Sequence, residues 1–151
     1  MTTQDHADQD LLSGVALASF HLNGQFLALA ETLVRPVGLT AAWWQVLGAI
    51  LHEPLSVASI AREMGITRQS VQRIADLLVE RGMAEYRPNP AHRRAKLVAP
   101  TQTGLDAVTA LDPAHAAAAA RLAELMGRDE LDAALDSMRR LSAALDAIAE
   151  D

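Results

Sequence analysis

The chain has 151 residues, half of them hydrophobic, no cysteine and a formal net charge of −6 at pH 7. This length fits one domain with a sizeable core, and the lack of cysteine excludes disulfides, thiolate metal sites and cysteine redox chemistry. The opening MTTQDHADQD is polar and acidic, unlike a secretion signal, and no uninterrupted apolar run approaches the roughly 20 residues of a membrane span, so the expectation is a cytoplasmic protein with no membrane partner.

Residues 1–9 are expected to be a flexible N-terminus. From Asp10 to Arg35, the residues Leu12, Val15, Leu22, Phe26, Leu29 and Leu33 recur at helical spacing, which predicts a long amphipathic helix ended by Pro36-Val37-Gly38. Thr40 is a candidate N-cap for a second helix carrying Trp43, Trp44, Leu47, Ile50 and Leu51 up to Pro54. Ser56 caps a short third helix with Val57, Ile60, Ala61 and Met64 inward, and Gly65 stops it. Thr67 caps a fourth helix that runs to about Arg81, with Gly82 just beyond its end. Met83–Arg87 and Ala95–Ala99 are short enough for strands around the turn formers of Arg87–Arg94. Helix resumes after Thr101–Gly104, and Asp112-Pro113 allows either a kink or a new start. Gly127 ends that element, and Asp129 is the expected cap of a last helix striped by Leu131, Leu135, Met138, Leu141, Leu145 and Ile148.

The charge is unevenly placed. Arg62–Lys96 holds eight basic and four acidic residues, about +4, and the remainder carries about −10. A basic middle in an acidic chain suits a polyanion touching one face. Within it, Ile60–Ile74 (IAREMGITRQSVQRI) fits one helix-turn-helix unit: Ala61 is small where two helices cross, Gly65 suits the turn, and Ile60, Met64, Ile66, Val71 and Ile74 flank the corner. On the fourth helix Gln69, Gln72, Arg73 and Asp76 form one polar stripe opposite Val71, Ile74 and Leu78, with Arg68 and Ser70 beside its start. Glutamine can bond adenine and arginine guanine at two points each, discriminating by about 1–3 kcal/mol per good pair. The N–H groups near Thr67 suit a phosphate. Arg87, Arg93, Arg94 and Lys96 surround a stiff Pro88-Asn89-Pro90 turn, and arginines on such a tip can enter a narrow minor groove.

The passages LSVASIAREMGITRQSVQRIADLLVERGMAEYR and NPAHRRAKLVAPTQTG resemble the MarR family of winged-helix transcriptional regulators, and the resemblance extends over about residues 10–150. It implies a mainly α fold with a small β-wing: an N-terminal dimerisation helix at 10–36, a winged helix-turn-helix at 37–104, and C-terminal dimerisation helices at 105–151. It implies a homodimer on a pseudo-palindromic operator in double-stranded DNA, with Thr67–Arg73 opening the recognition helix, Arg94 at the wing tip, and release by a small ligand in many members. Two positions depart from the family pattern. His92 stands where an aspartate usually orients the wing arginine, and Pro100-Thr101 replaces Leu-Thr at the end of the second strand. His92 can instead add positive charge toward phosphate as pH falls.

Dimerisation also accounts for apolar stripes at both ends of the chain, with half-sites about 10 bp apart. Candidate walls for an effector pocket are His21, Arg35, Trp43, Trp44 and His52; adjacent tryptophans point about 100° apart, so one is expected in the core and the other at a pocket or interface. His6, His21, His52, His92 and His115 show no metal-ligand spacing, and neither a metal nor another cofactor is implied. No nucleophile–base set, paired carboxylates or phosphate-cradling loop marks an enzyme. A ligand-independent regulator, an activator, and a helical adaptor with a degenerate winged helix remain as alternatives.

Overall fold

The computed structural model describes residues 2–150. In chain order these form α1 (Thr3–Val34), a 3-10 turn (Arg35–Val37), α2 (Ala41–Ala49), β1 (Leu55–Ser56), α3 (Val57–Met64) and α4 (Arg68–Glu80). Then come β2 (Ala84–Arg87), β3 (Leu97–Pro100), α5 (Gln102–Thr109), α6 (Asp112–Met126) and α7 (Arg128–Glu150). Rather than one domain, the chain divides into two compact units, one ending at Leu111 and one beginning at Asp112.

In the first unit, α1 starts at Thr3 rather than Asp10. Thr2 and Asp5 form a reciprocal cap: the Thr2 hydroxyl accepts from the Asp5 N–H at 3.2 Å, and the Asp5 carboxylate accepts from the Thr2 N–H at 2.6 Å. Residues 3–9 are therefore helical behind the Thr2 cap, not a flexible lead, and Met1 lies outside the described residues. Val34 is the buried residue of α1, whereas Leu11, Leu17 and Phe20 are each about two-thirds exposed or more, at 68%, 67% and 72%. An 18-residue window within Thr3–Val37 averages a hydropathy of 1.2 with none of it buried, enough to cross a membrane by length and composition alone. The window reaches this on its average alone, because no uninterrupted apolar run within it has that length. Leu11–Ala30 holds no Asp, Glu, Lys or Arg, and Ser13, Ser19, Asn23 and Gln25 interrupt it without adding charge.

Thr40 caps α2 by accepting the Trp43 N–H at 3.1 Å, and the Glu31 carboxylate of α1 accepts the Ala41 N–H at 3.0 Å. The helix ends at Ala49, well before Pro54. Its last turn tightens, with Ile50 N–H donating to Leu47 and Leu51 N–H to Gly48, and the residue before a proline is pushed out of helical conformation. The chain then enters β1, which the sequence did not suggest. The sheet order is β1-β3-β2, antiparallel throughout, with Leu55 opposite Val98 and Tyr86 opposite Val98 on the other side. The observed strands begin later than expected, at Ala84 and Leu97, and the second runs through Pro100. Proline is tolerated there because β1 pairs only with Leu97 and Val98, leaving the β1 side of Pro100 outside the ladder.

The main core joins Val46, Leu47 and Ile50 of α2, Ile60 and Ala61 of α3, Val71, Ile74, Ala75 and Leu78 of α4, and Ala84 and Val98 of the sheet. A smaller cluster of Val34, Leu39 and Leu111 has Trp43 and Trp44 packed against it.

In the second unit, α6 and α7 pack as a helical hairpin joined at Gly127. Pro113 lies in the first turn of α6, so the Asp112-Pro113 pair marks a new start and not a kink. Helix α7 begins at Arg128, ahead of Asp129; Asp129 and Glu130 occupy its first turn, where acids favour the positive end of the helix dipole. Along its stripe Leu131 and Leu141 are half-buried, while Leu135, Met138, Leu145 and Ile148 are exposed. Asp151, within the expected 105–151 segment, lies outside the described residues.

Candidate nucleic-acid interface

The corner between α3 and α4 is built locally. Ser56 accepts the Ser59 N–H at 3.2 Å to start α3, and Gly65, at φ +66°, ends it in the left-handed region that disfavours a side chain. Thr67 then caps α4, accepting the Ser70 N–H at 3.1 Å and donating its own proton to the Ser70 hydroxyl at 2.9 Å. The hydroxyls of Thr67 and Ser70, two of the residues expected to touch DNA, are thus engaged with each other in this structure.

Val71, Ala75 and Leu78 are fully buried and Ile74 nearly so, which turns Gln69, Gln72, Arg73 and Asp76 outward. The outward face borders a groove of about 560 Å³. Ser56, Val57 and Ala58 line it from the start of α3, Arg68, Gln69 and Gln72 from α4, and Tyr86, Arg94, Ala95 and Lys96 from the sheet and wing. Five of the ten residues expected to touch DNA are therefore brought together: Arg68, Gln69, Gln72, Arg94 and Lys96. Arg73 and Arg93 are exposed but do not line the groove. Arg87 is held by Glu85, with its Nε and Nη2 each 2.8 Å from one carboxylate oxygen, so part of its charge is answered within β2.

Tyr86, not anticipated from the sequence, joins the two halves of the groove. Its hydroxyl donates to Asp76 Oδ1, and Gln72 Nε2 donates to that carboxylate oxygen at 3.0 Å and to the Tyr86 hydroxyl at 2.9 Å. The Lys96 ammonium lies 5.8 Å from the centre of the Tyr86 ring, a cation–π distance. Burial, reinforced by the hydrogen bond and charge of Asp76 and opposed by Gln72, pushes the Tyr86 hydroxyl up to about 12.

Short-range hydrogen bonds close the wing tip. Asn89 Oδ1 accepts the Ala91 N–H at 3.0 Å, the Asn89 carbonyl accepts the His92 N–H at 3.2 Å, and the His92 carbonyl accepts the Ala95 N–H at 3.3 Å. The His92 side chain is exposed outside the groove lining.

The five effector-pocket candidates line none of this groove. His21, Arg35 and His52 are exposed on α1, the 3-10 turn and the loop after α2. Trp43 and Trp44 are both half-buried against the smaller cluster, and Trp43 also reaches the main core, with the Arg81 guanidinium 5.5 Å above its ring. Trp44 packs against the smaller cluster alone. Among the described residues no group of three or more His, Cys, Asp or Glu is placed to hold a metal.

A glycine-turned helix pair, a polar stripe on its second helix and a basic hairpin alongside define the winged helix-turn-helix class. Residues 37–95 match the model of the MarR family. The chain is 38% identical over 128 residues to an uncharacterised protein of Mycobacterium tuberculosis, covering 85% of this chain and 90% of that one. The transcriptional repressor CouR bound to a 23-mer DNA duplex has the same fold, with a TM-score of 0.72 and 29% identity across 85% of this chain and 91% of CouR. CouR from Rhodococcus jostii RHA1 bound to p-coumaroyl-CoA gives a TM-score of 0.71 at 22% identity, covering 87% and 90%. Residues 37–95 are thus a MarR-family segment, and the chain has the fold of MarR-family transcription regulators.

Proposed function

We propose that the chain is a homodimeric, sequence-specific regulator of transcription in the cytoplasm, a repressor released from its operator by a small molecule. The observation that carries this reading is the groove in which Gln69, Gln72 and Arg68 of α4 face Arg94 and Lys96 of the wing. In it α4 enters the major groove, with Gln69, Gln72 and Arg73 at base edges. Arg93 and Arg94 reach the adjacent minor groove, and Arg68, Arg87 and Lys96 meet phosphates, with Thr67 and Ser70 supporting the helix start. The DNA complex of CouR supports the same use of this fold.

The exposed apolar residues of α1 and α7, among them Phe20, Leu17, Leu145 and Ile148, support a second copy as their cover. That copy would also account for the uncharged length of α1 without a membrane. An effector is supported by the CouR complex with p-coumaroyl-CoA. The surface around Trp43, Trp44 and Arg35 is its proposed site, with His21 and His52 as outlying candidates.

Selecting bound sequences from random DNA tests the reading, since a homodimer enriches a pseudo-palindrome with half-sites about 10 bp apart. Binding through roughly 6–10 phosphates should weaken about 10³–10⁵-fold between 50 and 200 mM salt. A helical adaptor gives neither enrichment nor salt dependence. Sedimentation as a monomer at micromolar concentration overturns the dimer, and flotation with lipid vesicles assigns α1 to a membrane instead.

A further inference from the structure

We infer that Tyr86 is a positioning residue for base recognition: with Asp76 it fixes the orientation of the Gln72 side-chain amide in the groove. The inference rests on α4 reading DNA, as proposed above. A glutamine amide has a donating and an accepting end of nearly equal shape. Free to rotate, it satisfies several base edges about equally well and discriminates little. Here Nε2 faces two oxygens, Tyr86 Oη at 2.9 Å and Asp76 Oδ1 at 3.0 Å. Reversing the amide sets its carbonyl against a carboxylate that can only accept. The Tyr86 proton is committed to Asp76, which leaves the phenolic lone pairs for Gln72. With the hydroxyl pushed up to about 12, Tyr86 keeps that proton across the physiological range.

The arrangement explains an acid on a face otherwise suited to a polyanion. Asp76 repels phosphate, yet it is the acceptor on which both other side chains converge. It also joins separate elements, because Gln72 and Tyr86 are fourteen residues apart, one on the recognition helix and one on the wing strand. The wing thereby contributes to base choice without touching a base.

The test compares sequences selected from random DNA by the full-length wild type, Tyr86→Phe, Asp76→Ala, Gln72→Ala and the Gln72→Ala/Tyr86→Phe double variant. Wild type should prefer one base at the Gln72 position of each half-site by on the order of tenfold, and Tyr86→Phe should reduce this to roughly threefold or less. Preferences at other positions should hold, because phenylalanine keeps the ring under Lys96. Asp76→Ala reaches the amide from the helix side and should relax the same position, even if Tyr86→Phe folds poorly. The double variant should match Gln72→Ala alone, a non-additivity that a merely stabilising hydrogen bond does not produce. Wild-type base preferences in both Tyr86→Phe and Asp76→Ala, or further loss in the double variant, overturn the inference while DNA reading stands. Failure of the wild type to enrich any sequence overturns DNA reading and the inference with it.

Discussion

Replacing Gly104 with alanine sets two effects of opposite sign against each other in one helix. On an unobstructed helix the change stabilises by about 0.5–1 kcal/mol, because alanine loses less backbone entropy on folding. At Gly104, however, an added Cβ would lie 2.0 Å from the Met83 carbonyl oxygen, 3.0 Å from its carbon and 3.3 Å from a Leu47 methyl. Relief requires backbone movement of more than an ångström, since the obstruction is a main-chain carbonyl. That carbonyl also accepts the Thr101 N–H at 3.1 Å, and the Thr101 hydroxyl both donates to the Gly82 carbonyl at 2.5 Å and accepts the Gly104 N–H at 3.2 Å to cap α5. Overpacking of this kind costs about 1–3 kcal/mol, and a 2.0 Å approach to a main-chain carbonyl puts this site at the upper end, so after the entropic gain the net loss for Gly104→Ala should be about 2 kcal/mol. At roughly 2–4 °C per kcal/mol for a chain of this size, Tm should fall by about 4–8 °C. Gly48→Ala in α2 is the matched control, as its Cβ would meet nothing within 4 Å, and it should raise Tm by roughly 1–4 °C. Thermal unfolding followed by circular dichroism reads both variants. Equal or higher stability of Gly104→Ala would refute the close approach of α5 to the Gly82-Met83 corner.

Tyr86 is the one tyrosine in the sequence, so phenolate ultraviolet absorbance titrates it directly. Its native midpoint should lie near 12, against about 10 in the unfolded chain. Because the folded value is raised, this contribution to stability is complete below about pH 10 and is lost as pH rises toward 12; a native midpoint near 10 removes the basis for it. Arg94→Ala should weaken binding to all sequences by a similar factor, whereas Arg73→Ala should relax preference at one base position, as competition binding against point-mutated operators will show. Equal, sequence-independent losses in both variants mean that the reading face of α4 is misassigned. Glu31→Ala removes the acceptor held by the Ala41 N–H and should cost about 1 kcal/mol in denaturant unfolding; no change in the midpoint counts against that link between α1 and α2.

What could be read from the sequence was what short-range chemistry decides. Ser56 and Thr67 cap the helices on which they were placed, Gly65 makes the turn, and the buried side of α4 is Val71, Ile74 and Leu78 as its spacing required. Elements fixed by distant partners escaped notice. Two-residue β1 exists only through β3, more than forty positions away, and Tyr86 acquires its role from Gln72 and Asp76 on another element. Its strand position was nonetheless informative: with Ala84 inward, Tyr86 shares that side of β2, half-buried at the groove. The Glu85–Arg87 pair was legible too, since the two residues sit two apart on one strand face. The start of α1 was missed because Thr2 and Asp5 were read as part of a polar lead, although their spacing is that of a capping box.

The small sheet has a consequence for how copies of the chain can meet. Its outer strands, β1 and β2, are two and four residues long, and β2 carries the exposed Glu85 and Arg87. Edges so short and charged make poor templates for a strand from another molecule. Association by strand addition, a common route to runaway assembly, is thus blunted at both margins of the wing. The homodimer proposed above would then form through helical surfaces, where a two-fold contact closes on itself.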